Sequence, residues 1–179
     1  MRIRTEIGVL RSGFLIALVS WASIVSAEPV KYSPPDKAFE VMFPEKPECK
    51  EQKLEVVTGK AVMHVCSYAN VDAQLFYSVT YYDGLLVPHH VDSAEALKGA
   101  MNGAATATSS TIVESHSSEI NGFPALESVM RDQNGLISLS QYVLANQRLF
   151  SIEFAGWRGR VPKEAVNAFM NSFKINVKP

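Results

Sequence analysis

The sequence predicts an α+β domain, an antiparallel β-sheet of about seven to eight strands flanked by two helices. Three observations carry that expectation. Residues 136–156 (LISLSQYVLANQRLFSIEFAG) alternate in polarity on either side of Asn146-Gln147, as a long hairpin with one face in a core would. Turn signals recur between such runs, at Asn121-Gly122 and Asn134-Gly135, so that successive strands become antiparallel neighbours. Two other segments carry apolar residues at spacings of three and four and fall at the breaks between groups of strands.

The first residues read as a targeting segment. Arg2, Arg4 and Arg11 precede an apolar run over residues 13–25, which closes on small residues at Ser26-Ala27. Cleavage after Ala27 is expected, giving a signal peptide at 1–27 and a single domain at 28–179. The run of about thirteen residues is short of the roughly twenty that a membrane span needs, so no stable insertion is expected after cleavage. The expected location is periplasmic or secreted. The chain has 17 Lys and Arg against 18 Asp and Glu. Subtracting Arg2, Arg4, Arg11 and Glu6 leaves 14 basic and 17 acidic residues, a net charge near −3 spread along the mature part. That distribution disfavours nucleic acid, which is held through clustered cations.

In chain order, Phe39, Val41 and Phe43 alternate as a short strand that Pro44 and Pro47 end. Residues 51–57 and 61–68 form a hairpin around Thr58-Gly59, with Val57 against Lys60 and residue 51 facing Cys66. Cys49 then lies about two positions further along, where a small bulge would let it reach Cys66. An even cysteine count in an exported chain favours that disulfide. Residues 75–82 (LFYSVTYY) read as a buried strand ended by Asp83-Gly84.

Asp92, with Glu95 three residues on, caps a helix to about Ala105 whose stripe is Ala94, Leu97, Met101 and Ala104. Four strands follow as a meander over residues 111–156. Pro162 opens a second helix with Val166, Phe169, Met170 and Phe173 on one face. The periodicity leaves open whether the helices share a sheet face.

The motifs Phe39-x-Val41-x-Phe43-Pro44, Ile120-x-Gly122-x-Pro124-Ala125, Arg148-Leu149-Phe150 and Phe169-Met170-x-Ser172-Phe173-Lys174 resemble the PsbP/Mog1-like group, and look most like its small exported bacterial proteins of unknown function. The resemblance runs from about Asp36 to Val177. It implies a central antiparallel sheet with helices on both faces, an α-β-α sandwich. Photosystem members of the group bind a membrane complex and nuclear members a small GTPase, but the shared motifs are structural and carry neither role.

Candidate chemistry is sparse. In the loop at 83–92 (DGLLVPHHVD), His89 and His90 with Asp83 and Asp92 offer metal-ligating atoms, against the plainer reading of solvated histidines after Pro88. Trp157, Arg158 and Arg160 form a candidate binding surface just past the long hairpin. His64 and His116 sit in strands and read as cross-strand neighbours rather than bases; with no G-x-S-x-G elbow, a hydrolase is the weakest reading. The expectation is a non-enzymatic exported module without a cofactor that binds an envelope protein or a small ligand. A metal or small ligand at the 83–92 loop is the alternative.

Overall fold

The computed structural model describes residues 28–56, 59–88, 90–157, 159 and 161–176. The expected signal peptide at 1–27 lies outside the described residues. Among the described residues ten strands and two helices follow the order β1 (Val30–Tyr32), β2 (Phe39–Phe43), β3 (Glu48–Val56), β4 (Gly59–Asn70), β5 (Leu75–Leu86), α1 (Ser93–Ala107), β6 (Thr111–Ile120), β7 (Phe123–Arg131), β8 (Leu136–Ala145), β9 (Arg148–Trp157), α2 (Lys163–Met170) and β10 (Lys174–Ile175). Seven of the strands form one antiparallel sheet in the order β3-β4-β5-β9-β8-β7-β6. β1, β2 and β10 form a separate small sheet rather than extending the large one.

The long hairpin has the register its alternation predicts. Val143 faces Phe150, Gln141 faces Ile152 and Leu139 faces Phe154. Asn146 and Gln147 both take positive φ, at 49° and 65°, the geometry that matches a two-residue turn to the twist of its strands. Asn121 and Gly122 do the same at 53° and 82°.

The helices cover opposite faces of the large sheet. On β8, Tyr142 and Leu144 point into a cluster with Leu97, Met101 and Ala105 of α1, while Val143 between them points into the other cluster with Phe169 and Met170 of α2. The second face is shared: the small sheet brings Phe39, Val41 and Phe43 onto it beside α2. Phe43 and Tyr77 both pack against the Phe169 ring, with centroids 5.2 Å away in each case. The result is an α-β-α sandwich whose larger core lies under α2 and the small sheet.

Four local expectations change. The first hairpin turns earlier, so Cys49 stands directly opposite Cys66 and Glu51 opposite His64, and the disulfide needs no bulge. β5 runs on through Gly84 to Leu86, past a register shift against β9 between Tyr81 and Leu86. Gly84 absorbs that irregularity at φ +76°, where a Cβ would stand 2.7 Å from the Lys60 carbonyl oxygen.

On α1 the buried stripe is Leu97, Met101 and Ala105, with Ala94 exposed as the cap is left behind. Phe173 lies past the end of α2, in the turn leading to β10, yet remains buried. That turn is fastened by Ser172, whose hydroxyl donates to the Phe169 carbonyl and accepts from the Met42 amide. No helix among the described residues is long and apolar enough to cross a membrane.

Candidate functional site: a charged cleft around Arg148

The row of residues Glu51, His64, Tyr81 and Phe150 crosses four neighbouring strands on the α2 face of the large sheet. Near its β3 end the small sheet stops short, leaving a cleft of about 600 Å³ lined by Tyr32, Asp36, Glu51, His64, Asp83 and Arg148, among others. The Cys49–Cys66 disulfide also lines it and ties the edge strand to its neighbour.

Arg148 is the first residue of β9, set directly after the tight turn. All three guanidinium nitrogens are engaged. Nε donates to the Tyr82 carbonyl at 3.1 Å, Nη1 to Asp36 at 2.5 Å and Nη2 to Asp83 at 2.6 Å. This planar fork holds its two carboxylates in fixed positions, which a flexible ammonium would not do. The second Asp83 oxygen lies 2.8 Å from His64 Nε2, and His64 Nδ1 lies 3.3 Å from Glu51. A neutral imidazole can donate to only one of these carboxylates, an imidazolium to both.

Tyr81 is the shared platform. His64 stacks on its ring with centroids 4.5 Å apart and planes 4° from parallel, and the Arg148 guanidinium carbon lies 5.1 Å from the ring centre. Burial raises the Tyr81 phenol well above its ordinary range. A contact to the Tyr32 hydroxyl at 3.4 Å and the charges of Asp83 and Asp36 push it the same way. At Asp36 burial acts to raise the pKa, but the Arg148 hydrogen bond, the Ala38 amide and the Arg148 charge outweigh it, so the carboxyl sits below its usual value. The side chains of Glu51, Asp83 and Asp36 stay 71%, 53% and 49% exposed, against 18% for Arg148 and 14% for His64. The cleft therefore presents carboxylates outward and keeps the Arg148 guanidinium and the His64 ring within.

Of the residues named from the sequence, Asp83 belongs to this cleft, bound to His64 and Arg148. Asp92 serves elsewhere: its carboxylate accepts from the Ala94 and Glu95 amides as the cap of α1. His90 is exposed, and His89 lies outside the described residues. Among the described residues no group of three or more His, Cys, Asp or Glu is arranged to hold a metal ion. Trp157 is half-buried at the end of β9, opposite Leu136, while Arg158 and Arg160 lie outside the described residues. His116 pairs with Glu127 at 3.3 Å on the same sheet face as the cleft, at its other end.

Asp36, Glu51 and Arg148 escaped the sequence reading as site residues. A hairpin register shifted by two was enough to hide that Glu51 and His64 face one another. Arg148 looked like part of a structural motif, and its ion pair with Asp36 joins residues too distant for periodicity to connect.

Neither a protein-family model nor a curated protein matches the chain. Solved structures do. The solution structure of cyanobacterial PsbP (CyanoP) from Synechocystis sp. PCC 6803 aligns with a TM-score of 0.58 over 88% of this chain and 98% of that one, at 12% identity. A Pseudomonas aeruginosa protein of unknown function aligns over 76% of this chain and 88% of its own, at 10% identity, with a TM-score of 0.39 that carries no weight for the fold. At these identities the first likeness shows the fold alone. The fold is PsbP-like.

Proposed function

We propose that the protein is an exported, non-enzymatic binding module of the cell envelope that holds a basic segment of a partner protein at the Arg148 cleft. The observation that carries this reading is the outward set of carboxylates at Asp36, Glu51 and Asp83, held in place by Arg148 and His64 over the Tyr81 ring. With His64 neutral, three carboxylates and one guanidinium leave the cleft at a net −2. Complementary charge of this kind steers and orients a partner more than it adds raw affinity.

The cleft's other reactive groups are already committed, which supports binding over catalysis. Both cysteines are oxidised to the disulfide, and the Ser33 hydroxyl donates to the Phe39 carbonyl at 2.8 Å. Export is supported by the charged and apolar pattern of residues 1–27 and by a cross-strand disulfide, a bond that persists in oxidising compartments.

Two measurements test the proposal. Fractionation of cells expressing the full chain is expected to place it outside the cytoplasm with the disulfide oxidised, and a cytoplasmic, reduced protein would overturn export. Titration with a short arginine-rich peptide is expected to move the His64 and Tyr81 resonances saturably, less so in Glu51→Gln and at raised salt. A cleft that gives no response would overturn the binding assignment.

A further inference from the structure

On the same sheet face, at its other end, a buried polar acceptor is left without a partner. From Cys66 through Val79 and Ile152 the row across the sheet is buried and apolar, and at Gln141 it turns polar, continuing to Glu127 and His116. Gln141, between Leu139 and Val143, is itself only partly buried and stands opposite Glu127. Its side-chain oxygen Oε1 has less than 1 Å² of accessible surface and no hydrogen-bond partner. Leaving such an acceptor unpaired costs about 1–3 kcal/mol, so the position asks for a donor.

The surroundings say which donor. Gln141 lines a cavity of about 320 Å³ between the β6-β7-β8 end of the sheet and α2. Glu127, directly opposite Gln141 on β7, also lines it, as do Glu114 and His116 of β6 and Asn167 of α2. His116 Nε2 lies 3.3 Å from one Glu127 oxygen. Leu139, Val129 and Val166 supply an apolar wall. Carbonyl and carboxylate acceptors thus outnumber cations around a small space with one greasy side.

We infer that this cavity is a second binding site, separate from the Arg148 cleft, for a primary ammonium group on a short aliphatic stem. The ammonium donates to Gln141 Oε1 and Glu127, and the stem lies against Leu139 and Val166. A primary ammonium has three donors and no acceptor, which matches the set of groups present. A free alkylamine and a lysine side chain of a partner share this chemistry.

The test is an NMR titration of the protein with butylammonium chloride and, separately, with Nα-acetyl-lysine amide, each against sodium chloride at equal ionic strength. Saturable shifts of the Gln141 side-chain amide, Asn167 and His116 signals are expected with at least one probe. A response to butylammonium assigns the site to free amines, and a response to the lysine derivative alone assigns it to a partner's side chain. Gln141→Leu extends the apolar part of the row by one strand and is expected to fold at least as stably while weakening binding by roughly tenfold or more, as loss of a charged hydrogen bond does. Glu127→Gln is expected to weaken it similarly, and the charge-matched Glu48→Gln on the opposite edge strand to leave it unchanged. No saturable shift with either probe, or equal affinity in Gln141→Leu, would overturn the inference.

Discussion

Arg148 hydrogen-bonds Asp36 across 112 positions of sequence, with Nη1 donating to Oδ2 at 2.5 Å. Asp36 lies in the turn between β1 and β2, so this pair fastens the small sheet to the first residue of β9. The same guanidinium holds Asp83 of β5, and three segments meet on one side chain. The cleft is thus a product of how the two sheets are joined.

Replacing Arg148 with Met is expected to cost about 1–3 kcal/mol at neutral pH, since it leaves two carboxylates and the Tyr82 carbonyl without their donor. The effect depends on pH with a definite sign. Asp36 titrates below its unfolded value, so its stabilising contribution is full above the unfolded pKa and fades as pH falls through the folded one. Melting temperatures of the native and Arg148→Met proteins are expected to converge in acid. A difference that stays constant across pH would show that the ion pair contributes nothing.

Glu153 behaves in the opposite sense. On the α1 face it stands in a row with Ser78 and Ser140, opposite both, and burial alone raises its pKa. The folded state therefore holds the proton more tightly than the unfolded chain, and stability falls as pH rises from the unfolded value through the raised one. Glu153→Gln is expected to raise the melting temperature at neutral pH and to have little effect in acid. Equal shifts at both would remove desolvation as the cause.

The disulfide closes a loop with a sequence separation of 17. Its removal by paired Cys49→Ser and Cys66→Ser changes is expected to cost about 3 kcal/mol in denaturant unfolding. Because Cys49 is exposed on an edge strand, the loss is expected chiefly as earlier opening of β3, seen as faster amide exchange there than in β8.

Phe169 is 2% exposed and packs on Phe43 of the small sheet and Tyr77 of the large one. Phe169→Ala is expected to cost about 3–5 kcal/mol by thermal or denaturant unfolding. A loss below about 1 kcal/mol would mean that α2 is not what closes this face.

Much of this fold was legible because strand alternation and two-residue turns are local. The register of β8 against β9 follows from placing Asn146-Gln147 at the tip, and the stripe Val166, Phe169 and Met170 follows from helical spacing. What was not legible is set by distant pairing. β10 is only two residues long and exists because Phe39 and Glu40 of β2 lie beside it. The continuation of β5 past Gly84 depends on a backbone irregularity that reads in sequence as a turn. The Arg148 cleft combines both difficulties, since it needs the correct β3-β4 register and the docking of the small sheet before Asp36, Glu51, His64 and Asp83 come together.

The most direct measurement places a photo-crosslinking amino acid at position 35, an exposed residue lining the cleft, and irradiates living cells that express the full chain. One discrete adduct to an envelope protein is expected, joined through a Lys- or Arg-rich segment and strongly reduced when Asp36 and Asp83 are both changed to Asn. No adduct, or an equal adduct from the same crosslinker at Lys98 on α1, would contradict binding at the cleft.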